Sequence, residues 1–140
     1  MKFKYLLISI LFLVFFFFLN AQNSSKTDSL LRVLKTAKED EKKILLLYEV
    51  GLNFETKKKK KSKSYYRQAR KLGKKIKYSL SEFKFISNYT FSLNMQGKLD
   101  SSLYWNLRGI EEAKKLKSDE YLAKAYFNTG GTISDATNTM

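Results

Sequence analysis

Cysteine, histidine and proline are all absent from the 140 residues, and each absence removes a class of chemistry or structure. Without cysteine there is no disulfide framework, no thiolate nucleophile and no sulfur-based zinc site. Without histidine, the commonest metal ligand and the usual general base are missing together. Most hydrolase and metalloenzyme readings go with them, and no metal or cofactor is expected. The lack of proline leaves helices uninterrupted, because proline removes a backbone donor and clashes with the preceding turn. Acidic residues are also scarce, 13 against 27 lysines and arginines, giving a formal charge of +14. The excess is mostly lysine. Arginine, which makes the bidentate contacts to phosphates and guanines, is confined to Arg32, Arg67, Arg70 and Arg108.

The one long hydrophobic run lies at the start. Lys2 and Lys4 precede Leu6 to Leu19, which includes Phe15 to Phe18, and Asn20-Ala21-Gln22 follows. A basic n-region, a short apolar stretch and a small residue make residues 1–21 a secretory signal peptide, cut after Ala21. The alternative is a retained anchor, but a spanning helix needs about 20 apolar residues and this run is shorter. No cysteine follows, so lipid attachment there is excluded. Export to the periplasm or cell envelope of a Gram-negative bacterium is the expectation. Residues 22–27 read as a flexible linker.

From Asp28 the pattern is helical. Asp28 is suited to cap a helix with Leu30, Leu31 and Leu34 on one side. Glu39-Asp40-Glu41 suits a helix N-terminus. Ile44, Leu47, Tyr48 and Gly51 then share a face, as do Tyr65, Ala69, Leu72 and Ile76. The run Lys57 to Lys61 falls in the turn between these two helices. Ser79-x-x-Glu82 reads as a capping box, opening a helix with Ile86, Tyr89, Thr90 and Leu93 inward. Gly97 closes a turn before Leu99, Leu103, Leu107 and Ile110. Ser118-Asp119 caps a last helix with Leu122, Tyr126 and Thr129 inward, and residues 131–140 read as a frayed polar tail. No stretch alternates with period two, so the fold class is all-α.

The helices also repeat. Ile86-x-Asn88-Tyr89-Thr90-x-x-Leu93 is followed by Gln96-Gly97-Lys98-Leu99-Asp100-x-Ser102 and then by Trp105 and Gly109. About 40 residues later Tyr126-x-Asn128-Thr129-Gly130 begins the unit again, and Leu47, Val50, Gly51, Phe54, Ser62, Tyr66 and Ala69 form a worn earlier version. Self-similarity at a fixed period predicts a solenoid of stacked antiparallel helix pairs, about two and a half of them. Such stacks need about three repeats and a polar cap, so either a partner covers the last helix or the chain belongs to something longer.

The second unit resembles a tetratricopeptide repeat. Asn88-Tyr89-Thr90 stands where that family usually has Asn-Leu-Gly, Gln96 to Asp100 matches its inter-helix turn, and Ser102, Trp105 and Gly109 fall on or beside its small and aromatic positions. The resemblance covers residues 28–130, and the period near 40 is similar to the long-helix variant. It implies a superhelix that binds a protein or peptide in the groove of successive first helices, with the recurring asparagine on the ligand backbone. In exported bacterial proteins with this repeat style, a membrane helix and a histidine-kinase or DNA-binding output domain often follow. A sensory fragment of such a protein is therefore an alternative reading.

The groove candidates are Leu47, Lys84, Asn88, Tyr89 and Asn128, with basic residues favouring an acidic ligand. Asn88 and Asn128 are equally well explained by side chains bonding within their own repeat. The tyrosines and Trp105 are better read as packing between repeats than as a stacking surface. Lys57, Lys58, Lys59, Lys60 and Lys61 form a candidate basic patch for polyanions or a membrane surface, although most charge runs are solvated loops. Nucleic acid is not an expected partner of an exported protein. Nothing indicates an active site: Glu111-Glu112 and Asp119-Glu120 are adjacent pairs that diverge on a helix, and Gly130-Gly131 lacks the strand and lysine of a phosphate loop. The expected function is non-enzymatic, a scaffold or adaptor of unknown oligomeric state.

Overall fold

The computed structural model describes residues 26–138, and all regular structure among them is helical. The proposed leader and residues 22–25 lie outside the described residues. The chain divides into two units, residues 1–36 and 37–140. Of the first unit, α1 (residues 26–36) is described. Lys26 and Thr27 are already helical, so the linker does not reach Thr27 and Asp28 sits inside the helix rather than capping it.

The second unit holds α2 (Glu41–Phe54), α3 (Lys59–Lys75), α4 (Ser81–Asn94), α5 (Leu99–Lys115) and α6 (Asp119–Thr137). Asp40 caps α2 as expected, its carboxylate accepting from the Lys43 amide at 3.0 Å. The expected box at Ser79 and Glu82 does not form: Leu80 is the N-cap of α4 and no side chain caps it. Glu82 turns to Arg70 instead, because a guanidinium fork offers it two charge-assisted bonds.

Each helix packs on the next, and the contacts fix the directions. A Cβ on Gly51 would overlap the Tyr66 ring, one on Gly73 would meet Ile44, and Ser62 bonds Glu55. Numbers rise on α2 as they fall on α3, so the two run antiparallel. Gly109 lies against Ile86 and Ser102 bonds the Thr90 carbonyl, giving the same relation for α4 and α5. Alternate first helices instead run parallel. Phe83, Ser87 and Asn94 meet Tyr121, Asn128 and Thr132 in order.

The core follows these seams. Ile44, Leu47, Tyr48, Val50 and Phe54 of α2 close on Tyr66, Ala69 and Leu72 of α3. Phe83, Ile110, Ala113 and Ala125 form a second cluster, edged by Leu116, Tyr121 and Leu122. Tyr66, rather than its neighbour Tyr65, is the buried aromatic of α3. Leu107 and Tyr126, both expected inward, are exposed.

The turns carry their own signatures. Gly97 takes φ +67°, and Lys98 N–H returns to the Leu93 carbonyl at 3.0 Å. The same left-handed residue closes α3 and α5, but there it is Lys77 (φ 56°) and Lys117 (φ 52°). At the end of α3 the Tyr78 amide bonds the Gly73 carbonyl, closing a Schellman turn. The expected frayed tail is in fact helix. α6 continues through Gly130-Gly131 to Thr137, because Thr132 is buried and held by side chains of α4 and α5.

Candidate functional site

Two buried polar junctions tie successive helix pairs together. At the first, the Glu55 carboxylate at the end of α2 accepts hydroxyl bonds from Ser62 and from Tyr66 (3.0 Å) on α3, and from Ser92 (2.6 Å) on α4. A carboxylate offers about four acceptor sites, and three of them are taken here by hydroxyl donors. At the second junction Thr132 of α6 takes the centre. Its hydroxyl accepts from Asn94 (3.0 Å) and Asn106 (2.8 Å), donates to the Asn128 carbonyl (3.2 Å), and lies 3.3 Å from Ser102 Oγ. The same four positions are used each time: Glu55 and Asn94, Ser62 and Ser102, Tyr66 and Asn106, Ser92 and Thr132. Sequence reading picked out Ser62, Tyr66 and Ser102 but not Glu55, whose signal is its place just past α2, matching Asn94 after Leu93.

Both junctions are internally satisfied. Among the described residues no buried side-chain nitrogen or oxygen lacks a partner. Burial pushes the Tyr66 and Tyr48 phenols up, so both stay neutral donors. These groups are arranged to hold helices together.

The five groove candidates do not share one surface. Leu47 belongs to the core. Asn88 donates to the Lys84 carbonyl of its own helix at 2.8 Å. Asn128 reaches Ser87 Oγ at 3.5 Å, which brings it beside that turn of α4. Tyr89 lies elsewhere, stacked on Phe85 and edge-on to Trp105, with the Lys63 ammonium 5.5 Å from its ring centre. Trp105 is flanked by two guanidinium groups, Arg70 at 6.0 Å and Arg108 at 4.9 Å. Arg108 stays exposed in this stack, whereas Arg70 is part-buried and bound to Glu82.

No protein-family model matches the chain, and no curated protein or solved structure matches it significantly. The site's meaning therefore rests on its own surfaces, of which two stand out. The first is basic. Lys57 to Lys61 are all exposed, and Lys59, Lys60 and Lys61 make up the start of α3, with no acidic residue in its first turn. Cations there face the positive end of the helix dipole, an arrangement that folding alone does not favour.

The second surface is apolar. A groove of about 520 Å³ between α5 and α6 is lined by Tyr104, Leu107, Ile110 and Tyr126, with Arg108, Glu111 and Lys114. On α6, Phe127 and Ile133 are exposed as well as Tyr126. No described helix is long and apolar enough to cross a membrane.

Proposed function

We propose that this chain is a non-enzymatic protein-binding module, a short solenoid of tetratricopeptide-like helix pairs that acts as a scaffold or adaptor in the cell envelope. The observation that carries the reading is the repeated junction, in which one set of four positions recurs about 40 residues on and ties each pair to the next first helix. Stacks built this way present extended surfaces and bind segments of other proteins. The basic leader and apolar run of residues 1–21 support export. Lys84, Asn88 and Asn128, all half-buried around the α4–α6 contact, are the accessible part of the candidate groove, and the excess of lysine favours an acidic ligand.

A photo-crosslinking amino acid at Lys84 tests this, introduced in the native host. A discrete protein adduct, identified by mass and lost when Asn128→Arg blocks the groove, is the expected outcome. The absence of any protein adduct at Lys84 would overturn the reading. The exposed lysines opening α3 favour a second reading, a polyanion or membrane-surface binder. Its adduct would form at Lys57 instead, and its binding would collapse between low and moderate salt, as counterion release requires.

A further inference from the structure

We infer that the corner between α3 and the α4–α5 turn is a docking site for an extended acidic segment of another protein, with carboxylates at alternate residues. The inference rests on the protein-binding reading and adds a second surface, with a ligand class that the α4–α6 groove does not specify. Every residue of the corner, from Lys59 to Trp105, belongs to the helices α3 to α5 or the turns between them.

Four cations meet there. Lys59, Lys63 and Arg67 stand at i, i+4 and i+8 along one side of α3, and Lys98 comes from the turn that opens α5. Lys59, Arg67 and Lys98 are exposed, while Lys63 is half-buried. The Lys63 ammonium donates to Gln96 Oε1 at 3.1 Å and lies 5.5 Å from the centre of the Tyr89 ring. These contacts bring the α3 row against the turn that carries Lys98. Burial, and then the charges of Lys98, Arg67 and Lys59, hold that ammonium below its ordinary value. The Glu55 carboxylate pulls the other way, but it is already bonded to three hydroxyls.

Like charges gathered in this way work against folding. Among the described residues none of the four forms an ion pair. The far half of the same row is different: Arg70 and Lys74 both pair with Glu82. One half of the row thus has its carboxylate within the fold. The other half lacks one, and an acidic ligand supplies it.

Spacing selects the form of the ligand. Four residues of helix rise about 6 Å, so the α3 cations recur at that interval. Side chains on one face of an extended chain recur at about 6.6 Å, so its successive carboxylates meet successive cations. A flat lipid surface reaches the exposed cations but not the half-buried Lys63. Three of the four are lysines, compact point charges that suit single carboxylates, whereas arginine forks are the better match for phosphates. Beside Lys63, Tyr89 stands edge-on to Trp105 at 5.5 Å, and both rings are half-buried. Their accessible parts offer an apolar side chain of the same segment a place next to the charges.

The test uses the protein purified from its host and two fluorescent peptides of equal composition. One alternates glutamate with threonine, and the other carries its glutamates in one block. Anisotropy should show saturable binding of the alternating peptide, about threefold tighter than the blocked one, because only it matches the α3 row. Lys63→Gln, Arg67→Gln and Lys98→Gln should each weaken it about threefold, while Lys115→Gln, at an exposed cation near the end of α5, leaves it unchanged. Changing the peptide's glutamates to glutamine should abolish binding with the protein untouched, so misfolding cannot produce that result. Thermal midpoints of the three variants should hold or rise as the repulsion is relieved. No binding by the alternating peptide, equal binding of the two peptides, or affinity indifferent to the three variants overturns the inference. So does tighter binding to phosphatidylglycerol vesicles or to polyphosphate that the same variants abolish, which would make the occupant a membrane or a phosphate polymer. A loss confined to Lys57→Gln and Lys58→Gln also overturns it, and leaves the exposed run as the polyanion site. Adducts at Lys84 that persist alongside any of these failures would leave the α4–α6 groove reading intact.

Discussion

Single side chains decide the two junctions and the turns. Glu55 is acceptor-only and faces three hydroxyl donors, so Glu55→Gln replaces one of its acceptor oxygens with a donor. Hydrogen bonds to charged groups contribute about 1.5–3 kcal/mol each, and the substitution should cost about that much in urea unfolding. An unchanged midpoint would mean that the carboxylate is not the anchor of the α2–α3–α4 seam. Lys77 and Lys117 predict the opposite sign. Each holds a left-handed conformation that costs an L-residue about 1 kcal/mol. Glycine removes the steric term, so Lys77→Gly and Lys117→Gly should each stabilise by about 0.5–1 kcal/mol after the entropic cost of glycine in the unfolded chain. Gly97 shows that the position accepts glycine, since it already fills the matching turn after α4.

At the scale of helices, α3 gains a charged tie at one end and is strained at the other. Its tie to α4 is Arg70 with Glu82, assisted by Lys74. Burial works to raise the Glu82 carboxyl, but the Arg70 hydrogen bond and the two positive charges outweigh it and hold the group below the usual carboxylate range. A carboxyl with a lowered folded pKa contributes stability above its ordinary value, and loses that contribution as pH falls through the folded one. Thermal midpoints should therefore drop below about pH 4.3, and Glu82→Gln should flatten that acid limb while lowering the plateau. An identical acid limb in Glu82→Gln would assign it to other carboxylates. The strain lies at the other end, where Lys59 and Lys60 open α3 against its dipole. Lys59→Glu and Lys60→Glu should each stabilise by about 0.3–1 kcal/mol at low salt, as a melt in dilute buffer would show. If either change also removes binding to a polyanion, the lysines serve function at the expense of stability.

At the scale of the whole chain, what the sequence made legible depended on whether a face had a partner. The helices and their near-40-residue period were readable, because Leu47, Ile86, Gly51 and Thr90 are buried where periodicity placed them. Tyr126 was misread for the same reason: it carries the inward pattern, but no described helix stands opposite it, and it is exposed. Residues 131–137 were misread as a tail because Gly130-Gly131 hides the one side chain, Thr132, that continues the helix. Of the candidate site, the asparagines were legible as a recurrence. Their bonding was not, since it depends on which neighbour each amide meets.

The same reasoning makes stability local. Each helix from α2 to α6 touches chiefly its sequence neighbours, so a fault at one junction should stay near that junction. Among the described residues Thr132 is the one buried side chain beyond Gly131, and its hydroxyl joins the last turns of α6 to α4 and α5. Thr132→Val keeps the shape, removes the hydroxyl and leaves Asn94 and Asn106 with buried amides short of a partner. Amide exchange should then speed up over residues 129–137, where the paired glycines already weaken the helix. Protection around Ile44, Tyr48 and Tyr66 should stay as it was. A uniform loss of protection from α2 to α6 would show one cooperative block instead, and would mean that the two junctions act as a single core.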